Sequence, residues 1–197
     1  CNVVTGSARE IGAELTQNPV VRKLSFTGST EIGAKLLEQC APTIKKTSME
    51  LGGNAPFIVF DDADIEAAVA GAMAAKYRNC GQACVAANRI LVQSGVYEKF
   101  AARLAQETVK LKVGNGVEPG VVQGPMINQE AVAKVEEHIA DAVARGAKIA
   151  AGGKRHQLGG NFFEPTVLTD VPTEALIFSD ETFGPVAPLF RFETDEE

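Results

Sequence analysis

Short runs of apolar residues alternate along this chain with segments in which apolar residues have a helical spacing, and only short turns separate them. Near its start, this alternation predicts a strand at Val3-Val4, helices over residues 8–16 and 31–40, and strands over residues 23–27 and 43–50. A β-α-β-α-β order with short connections is typical of a parallel, doubly wound sheet. We therefore expect an α/β fold.

A second series of elements follows Asn54-Ala55-Pro56, which interrupts the pattern. The predicted strands cover residues 57–60, 89–93, 148–151, 162–169 and 186–192, and the predicted helices cover residues 65–78, 96–111 and 130–145. Asp61 to Asp64 offer N-cap residues for the first of these helices. We predict a domain boundary at Gly53/Asn54.

The composition predicts a packed core, since 45% of the residues are apolar and 22% are charged. A net charge of −6 without a basic stripe argues against a nucleic-acid partner. No apolar run approaches the roughly 20 residues of a membrane helix, and no signal-peptide pattern is visible. Because the chain begins without Met inside a predicted strand, we expect a cut end, with any targeting segment out of view.

The cysteines, Cys1, Cys40, Cys80 and Cys84, have spacings that fit neither a disulfide framework nor a paired zinc site. The two histidines, His138 and His156, lie in polar sequence contexts. We therefore expect a reduced, cytoplasmic protein without a bound metal.

Two residues have sequence contexts that suit acyl chemistry. Cys84 is the last residue of a Gly-containing turn over residues 79–84. Backbone N–H groups in such a turn can stabilise a thiolate and an oxyanion. Taken alone, a buried structural cysteine is the commoner alternative. Glu50 ends a predicted strand before two glycines, where a partly desolvated carboxylate can act as a general base, although a solvated turn glutamate fits equally well.

Two further segments are less specific. Residues 26–31 read as a strand, a turn at Gly28-Ser29 and a helix start, which suits an anion such as a pyrophosphate. An ordinary helix capped by Ser29 or Thr30 explains the same residues and is favoured by the segment alone. Residues 181–185 read as a plain loop.

Together these four segments resemble the aldehyde dehydrogenase family. The matching motifs, in the family's order, are Phe26-Thr27-Gly28-Ser29, Glu50-Leu51-Gly52-Gly53, Gly81-Gln82-x-Cys84 and Glu181-x-Phe183-Gly184-Pro185. The similarity covers essentially the whole chain and includes Gly124-Pro125 and Phe163-Glu164-Pro165-Thr166.

The resemblance implies a mechanism in which the Cys84 thiolate attacks an aldehyde to give a thiohemiacetal. Hydride then passes to NAD or NADP, and water activated by Glu50 hydrolyses the resulting thioester. The backbone N–H of Cys84 would form half of the oxyanion hole.

The resemblance also implies roles in cofactor binding for residues outside this pair. Gly28 and Ser29 would lie at the cofactor phosphates, and the Leu51 backbone at the carboxamide. Glu181 would bind the nicotinamide ribose, and Phe183 would pack near the ring.

Arg78, six residues before Cys84, resembles the arginine with which the succinate-semialdehyde branch binds the distal carboxylate of its substrate. A guanidinium pairs well with a carboxylate, whereas the alternative is an arginine that complements the C-terminal end of a helix dipole. Glutarate semialdehyde remains a close alternative substrate. Ala86 stands where many members of the branch have a second cysteine, so the disulfide switch of those members is not expected.

Family members are typically more than twice as long as this chain. The resemblance therefore implies that residues 1–53 are the end of a Rossmann-like cofactor domain and residues 54–197 most of the catalytic domain, in a parent enzyme that is a homodimer or homotetramer. One alternative is an inactive fragment or structural domain. Another is a cysteine hydrolase, which needs a histidine beside Cys84.

Overall fold

A computed structural model describes all 197 residues, which divide into two compact units, Cys1–Gly52 and Gly53–Glu197. The helices are α1 (Ala8–Gln17), α2 (Thr30–Cys40), α3 (Ile65–Tyr77), α4 (Ser94–Thr108), α5 (Gln129–Ala144) and α6 (Leu176–Ser179). The strands are β1 (Lys23–Thr27), β2 (Lys46–Glu50), β3 (Ala55–Val59), β4 (Ala87–Gln93), β5 (Lys148–Ala151), β6 (Thr166–Thr169) and β7 (Val186–Phe192). The predicted α/β class is confirmed.

The first unit contains α1, α2 and a two-stranded parallel sheet of β1 and β2. The register places Thr27 opposite Glu50, so both strands end at the same edge. Both helices begin at a serine, Ser7 or Ser29, whose hydroxyl accepts a hydrogen bond from the first turn.

The second unit is built on a five-stranded sheet in the order β3-β4-β7-β6-β5. All neighbouring strands are parallel except the edge pair β5 and β6, which is antiparallel. Side chains of β7 alternate between two cores: Ala187 and Leu189 pack with α3 and α4, while Val186 and Phe190 pack with α5 and α6. Helices therefore cover both faces, which confirms the doubly wound arrangement.

Helix α3 leads into the segment that carries Cys84. The Asp64 carboxylate accepts a hydrogen bond of 3.1 Å from the Ala67 N–H at its start, as the sequence predicted. The helix ends at Tyr77, because Arg78 is extended (ψ 132°) and the next two residues have positive φ angles. None of the six helices has both the length and the apolar character that crossing a bilayer requires.

Two predictions for the first unit are wrong. Val3-Val4 forms no strand, because no neighbouring strand pairs with these exposed residues. The strand predicted over residues 43–50 begins only at Lys46, because Ala41–Thr43 forms a 3₁₀ turn and Ile44 then adopts a left-handed conformation (φ 51°).

Boundaries in the second unit also differ from the prediction. Ala55 and Pro56 lie inside β3 rather than interrupting it, since β3 is an edge strand with an irregular register at this point, where proline is tolerated. The strand predicted over residues 162–169 begins at Thr166, after Pro165. The short helix α6 was not predicted, and several other element ends shift by one to three residues.

Tyr97 provides a test of the second unit's core. Its hydroxyl, which is buried, donates to the Leu189 carbonyl (3.2 Å) and accepts from the Asp170 N–H (2.7 Å). Tyr97→Phe leaves both backbone groups without a partner and should lower the free energy of unfolding by about 1–3 kcal/mol in urea titrations. Leu158→Ala, at an exposed loop position, is the control and should change it little. A Tyr97→Phe variant as stable as the parent would contradict this role.

Candidate active site

In the first unit, four of the predicted site residues lie at the carboxyl edge of the parallel sheet. Gly28 and Ser29 follow β1, while Glu50 and Leu51 stand at the end of β2. The Gly28 N–H donates a 3.0 Å hydrogen bond to the Glu50 carbonyl and so joins the two strand ends. This edge is where open parallel sheets bind their ligands.

Ser29 is the N-cap of α2: its hydroxyl accepts a hydrogen bond of 3.4 Å from the Ile32 N–H. The capped-helix alternative therefore describes how its side chain is used. The first N–H groups of a helix have no partner within the helix, so this exposed end can still receive an anion. The two interpretations of Ser29 are compatible.

Glu50 and Leu51 differ in how they are held. The Glu50 side chain is exposed, as in the solvated-glutamate alternative, at the end of a strand with a single neighbouring strand. The Leu51 side chain packs on α2 at Gly33, where a Cβ atom would overlap it. The glycine thus lets Leu51 fix the backbone directly after Glu50.

In the second unit, a left-handed turn precedes Cys84. Asn79, Cys80 and Gly81 have successive positive φ angles of 53°, 58° and 69°. At Gly81 only a glycine fits, since a Cβ atom would overlap the Gly184 carbonyl oxygen. The turn therefore packs directly against the loop that holds the Glu181 motif.

Side-chain amides hold this turn in place. Asn79 Nδ2 donates to the Gln82 carbonyl (2.8 Å), and Gln82 Oε1 accepts from the Ile127 N–H (2.9 Å). Gln82 Nε2 also donates to the Pro125 carbonyl (3.3 Å). These bonds assign a positioning role to the Gln82 of the family-like motif.

The two cysteines of this segment have opposite environments. Both are free thiols, but Cys84 is exposed whereas Cys80 is buried and lies 4.0 Å from the Met126 sulfur. Burial raises the pKa of Cys80 to about 11, which keeps it a neutral thiol. The exposed Cys84 is thus the sulfur that a substrate can reach.

Arg78 caps the C-terminal end of α3, and its exposed guanidinium makes no hydrogen bond or ion pair within the chain. It lines a pocket of about 320 Å³. The other lining residues are small or apolar: Gly71, Ala74, Ala75, Ala83, Val85 and Ala86. Because the pocket also includes Ala83 and Val85, the two neighbours of Cys84 in sequence, an arginine without a protein partner lies beside the residues that flank Cys84.

The Glu181 Oε1 atom is buried and has no hydrogen-bond partner. Burial raises the pKa of Glu181 above its usual value. Phe183, two residues on, has a positive φ of 52° and is 40% exposed as a residue. This loop therefore presents an unsatisfied acceptor and an aromatic ring.

His138 has polar neighbours in the sequence, but the fold buries its side chain. Its ring is buried, with Nδ1 3.0 Å from the Thr182 hydroxyl, and burial lowers its pKa. The sequence suggested a polar context because charged residues flank His138 on the outer face of α5. Neither His138 nor His156 hydrogen-bonds to Cys84, so nothing here supports a cysteine hydrolase.

Lys76 is a polar residue that the sequence analysis missed. It lies fully buried in the last turn of α3, and its Nζ donates to Asn88 Oδ1 at 2.9 Å. Burial lowers its pKa to about 7, although the charge of Glu181 acts to raise it. The available signal was a lysine near the end of an alanine-rich helix in which Glu66, in the first turn, is the only other charged residue.

The predicted residues thus fall into two groups. Gly28, Ser29, Glu50 and Leu51 share one edge of the first unit. In the second unit, the segment with Arg78 and Cys84 meets the loop with Glu181 and Phe183 where Gly81 packs on Gly184.

Known proteins resemble the whole chain. It is 65% identical over 196 residues to a glutarate-semialdehyde dehydrogenase of Pseudomonas aeruginosa, covering 100% of this chain and 41% of that protein. It is 63% identical over 196 residues to the NADP(+) succinate-semialdehyde dehydrogenase of Escherichia coli (100% and 41%). It is also 63% identical over 196 residues to a 3-sulfolactaldehyde dehydrogenase of Pseudomonas putida (100% and 40%). The chain thus spans about 40% of the length of these relatives.

Solved structures share the fold. An NADP-dependent enzyme of Escherichia coli superposes with a TM-score of 0.97 at 64% identity, over 99% of this chain and 40% of that one. A betaine aldehyde dehydrogenase of Staphylococcus aureus in complex with NAD+ gives a TM-score of 0.92 at 40% identity (98% and 39%). The family pattern described as "Aldehyde dehydrogenase family" matches residues 1–197. The chain belongs to the aldehyde dehydrogenase family.

Proposed function

We propose that this chain supplies the nucleophile and the general base of an NAD(P)-dependent dehydrogenase that oxidises succinate semialdehyde to succinate. The observation that carries the proposal is the exposed Cys84 beside a small-residue pocket that contains the unpartnered Arg78 guanidinium. In the same proposal, residues 1–53 are the end of a cofactor-binding domain and residues 54–197 are most of a catalytic domain; the two compact units divide one residue earlier.

Cys84 performs the covalent chemistry. Its thiolate attacks the aldehyde carbon to form a thiohemiacetal, and the loss of hydride from that carbon leaves a thioester on Cys84. The Cys84 N–H is the donor that the resemblance assigns to the developing oxyanion. Glu50 takes a proton from the water that hydrolyses the thioester, which releases the acid and restores the thiolate.

The residues present fit a nicotinamide cofactor. The buried, unpartnered Oε1 of Glu181 can accept a hydrogen bond from a ribose hydroxyl. The exposed N-terminus of α2 after Gly28-Ser29 suits a phosphate, and the Leu51 backbone and the Phe183 ring complete the proposed set. When bound, oxidised NAD or NADP supplies the hydride acceptor. The names of two similar proteins include NADP, and a third was solved with NAD+.

Arg78 is the proposed partner of the substrate's distal carboxylate. Because the Arg78 guanidinium has no protein partner, it can bind the distal carboxylate without first breaking an ion pair. The three relatives are named for glutarate semialdehyde, succinate semialdehyde and 3-sulfolactaldehyde, and each of these aldehydes carries a second, anionic group. The class supported is therefore a short aldehyde with a distal anion, with glutarate semialdehyde as the second candidate.

The expectations of a cytoplasmic location and a homodimeric or homotetrameric parent enzyme stay predictions. An inactive piece of such an enzyme is the competing proposal, because this chain spans about 40% of the length of its relatives.

The proposal is tested in two proteins: the 197-residue chain, and a chimera in which this chain replaces the matching segment of the Escherichia coli succinate-semialdehyde dehydrogenase. NAD(P)H formation is followed with succinate semialdehyde, glutarate semialdehyde and each cofactor. Activity in the chimera supports the proposal, and activity in the chain alone rejects the inactive-piece alternative. A correctly folded chimera without activity would overturn the proposal.

Cys84→Ala in the chimera should lower kcat at least about 1,000-fold, because no other group supplies the covalent intermediate. The measurement is the steady-state rate of NAD(P)H formation. Cys1→Ala removes the other exposed cysteine and serves as the control, with an unchanged rate expected. Substantial turnover by Cys84→Ala would refute the assignment of the nucleophile.

Glu50→Gln should leave acylation in place and slow hydrolysis of the thioester, with a loss in kcat of about 100-fold near neutral pH. Stopped-flow measurements should then show a burst of NAD(P)H followed by slow turnover. Glu38→Gln, at an exposed position on α2, is the matched control and should keep the parent rate. A parent-like steady-state rate for Glu50→Gln would count against the general base.

Arg78→Ala should raise the KM for succinate semialdehyde by about 10–100-fold and change the KM for butanal, an uncharged aldehyde of similar length, much less. Arg22→Ala, which removes another exposed arginine without an ion pair, is the control. Equal losses for both aldehydes would point to a structural role for Arg78.

A further inference from the structure

A hydrogen bond between Lys76 and Asn88 joins the two ends of the Cys84 segment, residues 77–87. Lys76 lies in the last turn of the helix that precedes this segment, and Asn88 lies in the strand that follows it. Both side chains are almost fully buried, and their 2.9 Å bond spans the residues that include Arg78 and Cys84. A buried ammonium is costly unless it has a function or a strong partner, and one neutral amide is a weak partner.

The same ammonium acts on the Glu181 loop. Asn88 is the one hydrogen-bond partner of Lys76 Nζ in the chain, so two of its three N–H donors are unused. Glu181 Oε1 is a buried acceptor without a partner, and the charges of Lys76 and Glu181 attract each other. The loops themselves touch, since the backbone of Gly81 packs against that of Gly184.

We propose that Lys76 is a positioning residue: its buried ammonium joins the two ends of the Cys84 segment through Asn88 and keeps the Glu181 carboxylate charged for the cofactor. This inference rests on the proposed function, because it takes Glu181 as a cofactor ligand. It assigns to Lys76 an effect on cofactor binding that a merely structural lysine would lack.

Few other charged groups face this pair. The Cys80 thiol lies near Lys76 and stays neutral, because burial raises its pKa to about 11. Lys134, on α5, contributes a second positive charge near Glu181 and donates a hydrogen bond to the Glu181 carbonyl. Because burial favours the protonated form of Glu181, loss of the Lys76 charge should shift the carboxylate toward the neutral acid, which is a weaker acceptor.

A first experiment needs neither cofactor nor activity. The Nζ resonance of Lys76 is followed by NMR against pH in the ¹⁵N-lysine-labelled chimera, and Lys76→Met identifies the signal. Glu181→Gln should lower the midpoint of this titration by about half a pH unit or more, because the Glu181 charge raises the pKa of Lys76. A midpoint that Glu181→Gln does not move would overturn the link between the two residues.

A second experiment is a double-mutant cycle on cofactor binding, measured by calorimetry in the chimera. Lys76→Met should weaken NADP⁺ binding about 5–20-fold at pH 6, where the Lys76 amine is mostly protonated, and have little further effect when Glu181→Gln is already present. Lys99→Met, which removes an exposed lysine without a salt bridge, is the control and should leave the affinity unchanged. Equal effects of Lys76→Met with and without Glu181→Gln, or no effect at all, would reject the positioning role.

The two proposals fail in different ways. If the parent chimera forms no NAD(P)H, the proposed function is wrong. If it is active but the cycle is additive, the proposed function stands and only the role of Lys76 is rejected. If Lys76→Met fails to fold, the pH titration of the Lys76 Nζ resonance in Glu181→Gln still tests the electrostatic link between Lys76 and Glu181. The Lys76 resonance is then assigned from its NMR contacts with neighbouring residues.

Discussion

The backbone of Gly81 packs against that of Gly184, and the arrangement of the second unit's candidate site depends on this contact. Any side chain at position 81 would overlap the opposite carbonyl and separate the two loops. The contact requires a left-handed turn over Asn79, Cys80 and Gly81. It thereby fixes which sulfur is exposed: Cys80 turns into the core, and Cys84 faces solvent.

This turn is costly, and its surroundings compensate for the cost. Non-glycine residues in the left-handed region cost on the order of 1–3 kcal/mol each, and here Asn79 and Cys80 both adopt it. The amides of Asn79 and Gln82 offset part of this by bonding the turn to itself and to residues 125–127. Lys76 and Asn88 hold its two flanking elements together. Rigid support of this kind is what a positioned nucleophile needs.

Much of the fold was predictable because apolar periodicity reports which face of each element is buried. The strands Lys23–Thr27, Lys148–Ala151 and Val186–Phe192 were predicted with their observed bounds. The errors arise where neighbours in space decide the structure. Val3-Val4 has strand-like residues but no strand to pair with, and Pro56 is accepted in β3 because that strand lies at an edge.

The candidate site, like the fold, was predictable from the sequence only in part. The resemblance to the family predicts roles for Cys84, Glu50, Arg78 and Glu181, although spacing alone indicated only a loop around Glu181. Sequence could not show that Arg78 has no ion pair, that Glu181 Oε1 is an unpartnered acceptor or that Lys76 is buried. These properties depend on contacts between residues far apart in the chain, which a local pattern does not record.

Peptide mapping by mass spectrometry tests most directly whether Cys84 is the nucleophile. The chimera with Glu50→Gln is mixed with succinate semialdehyde and oxidised cofactor, quenched in acid and digested. A succinyl group should appear on the peptide that contains Cys84, and only when oxidised cofactor is present, since the thioester forms only after loss of hydride. A succinyl group on Cys1, Cys40 or Cys80 instead, or one that forms without cofactor, would contradict the mechanism proposed for this chain.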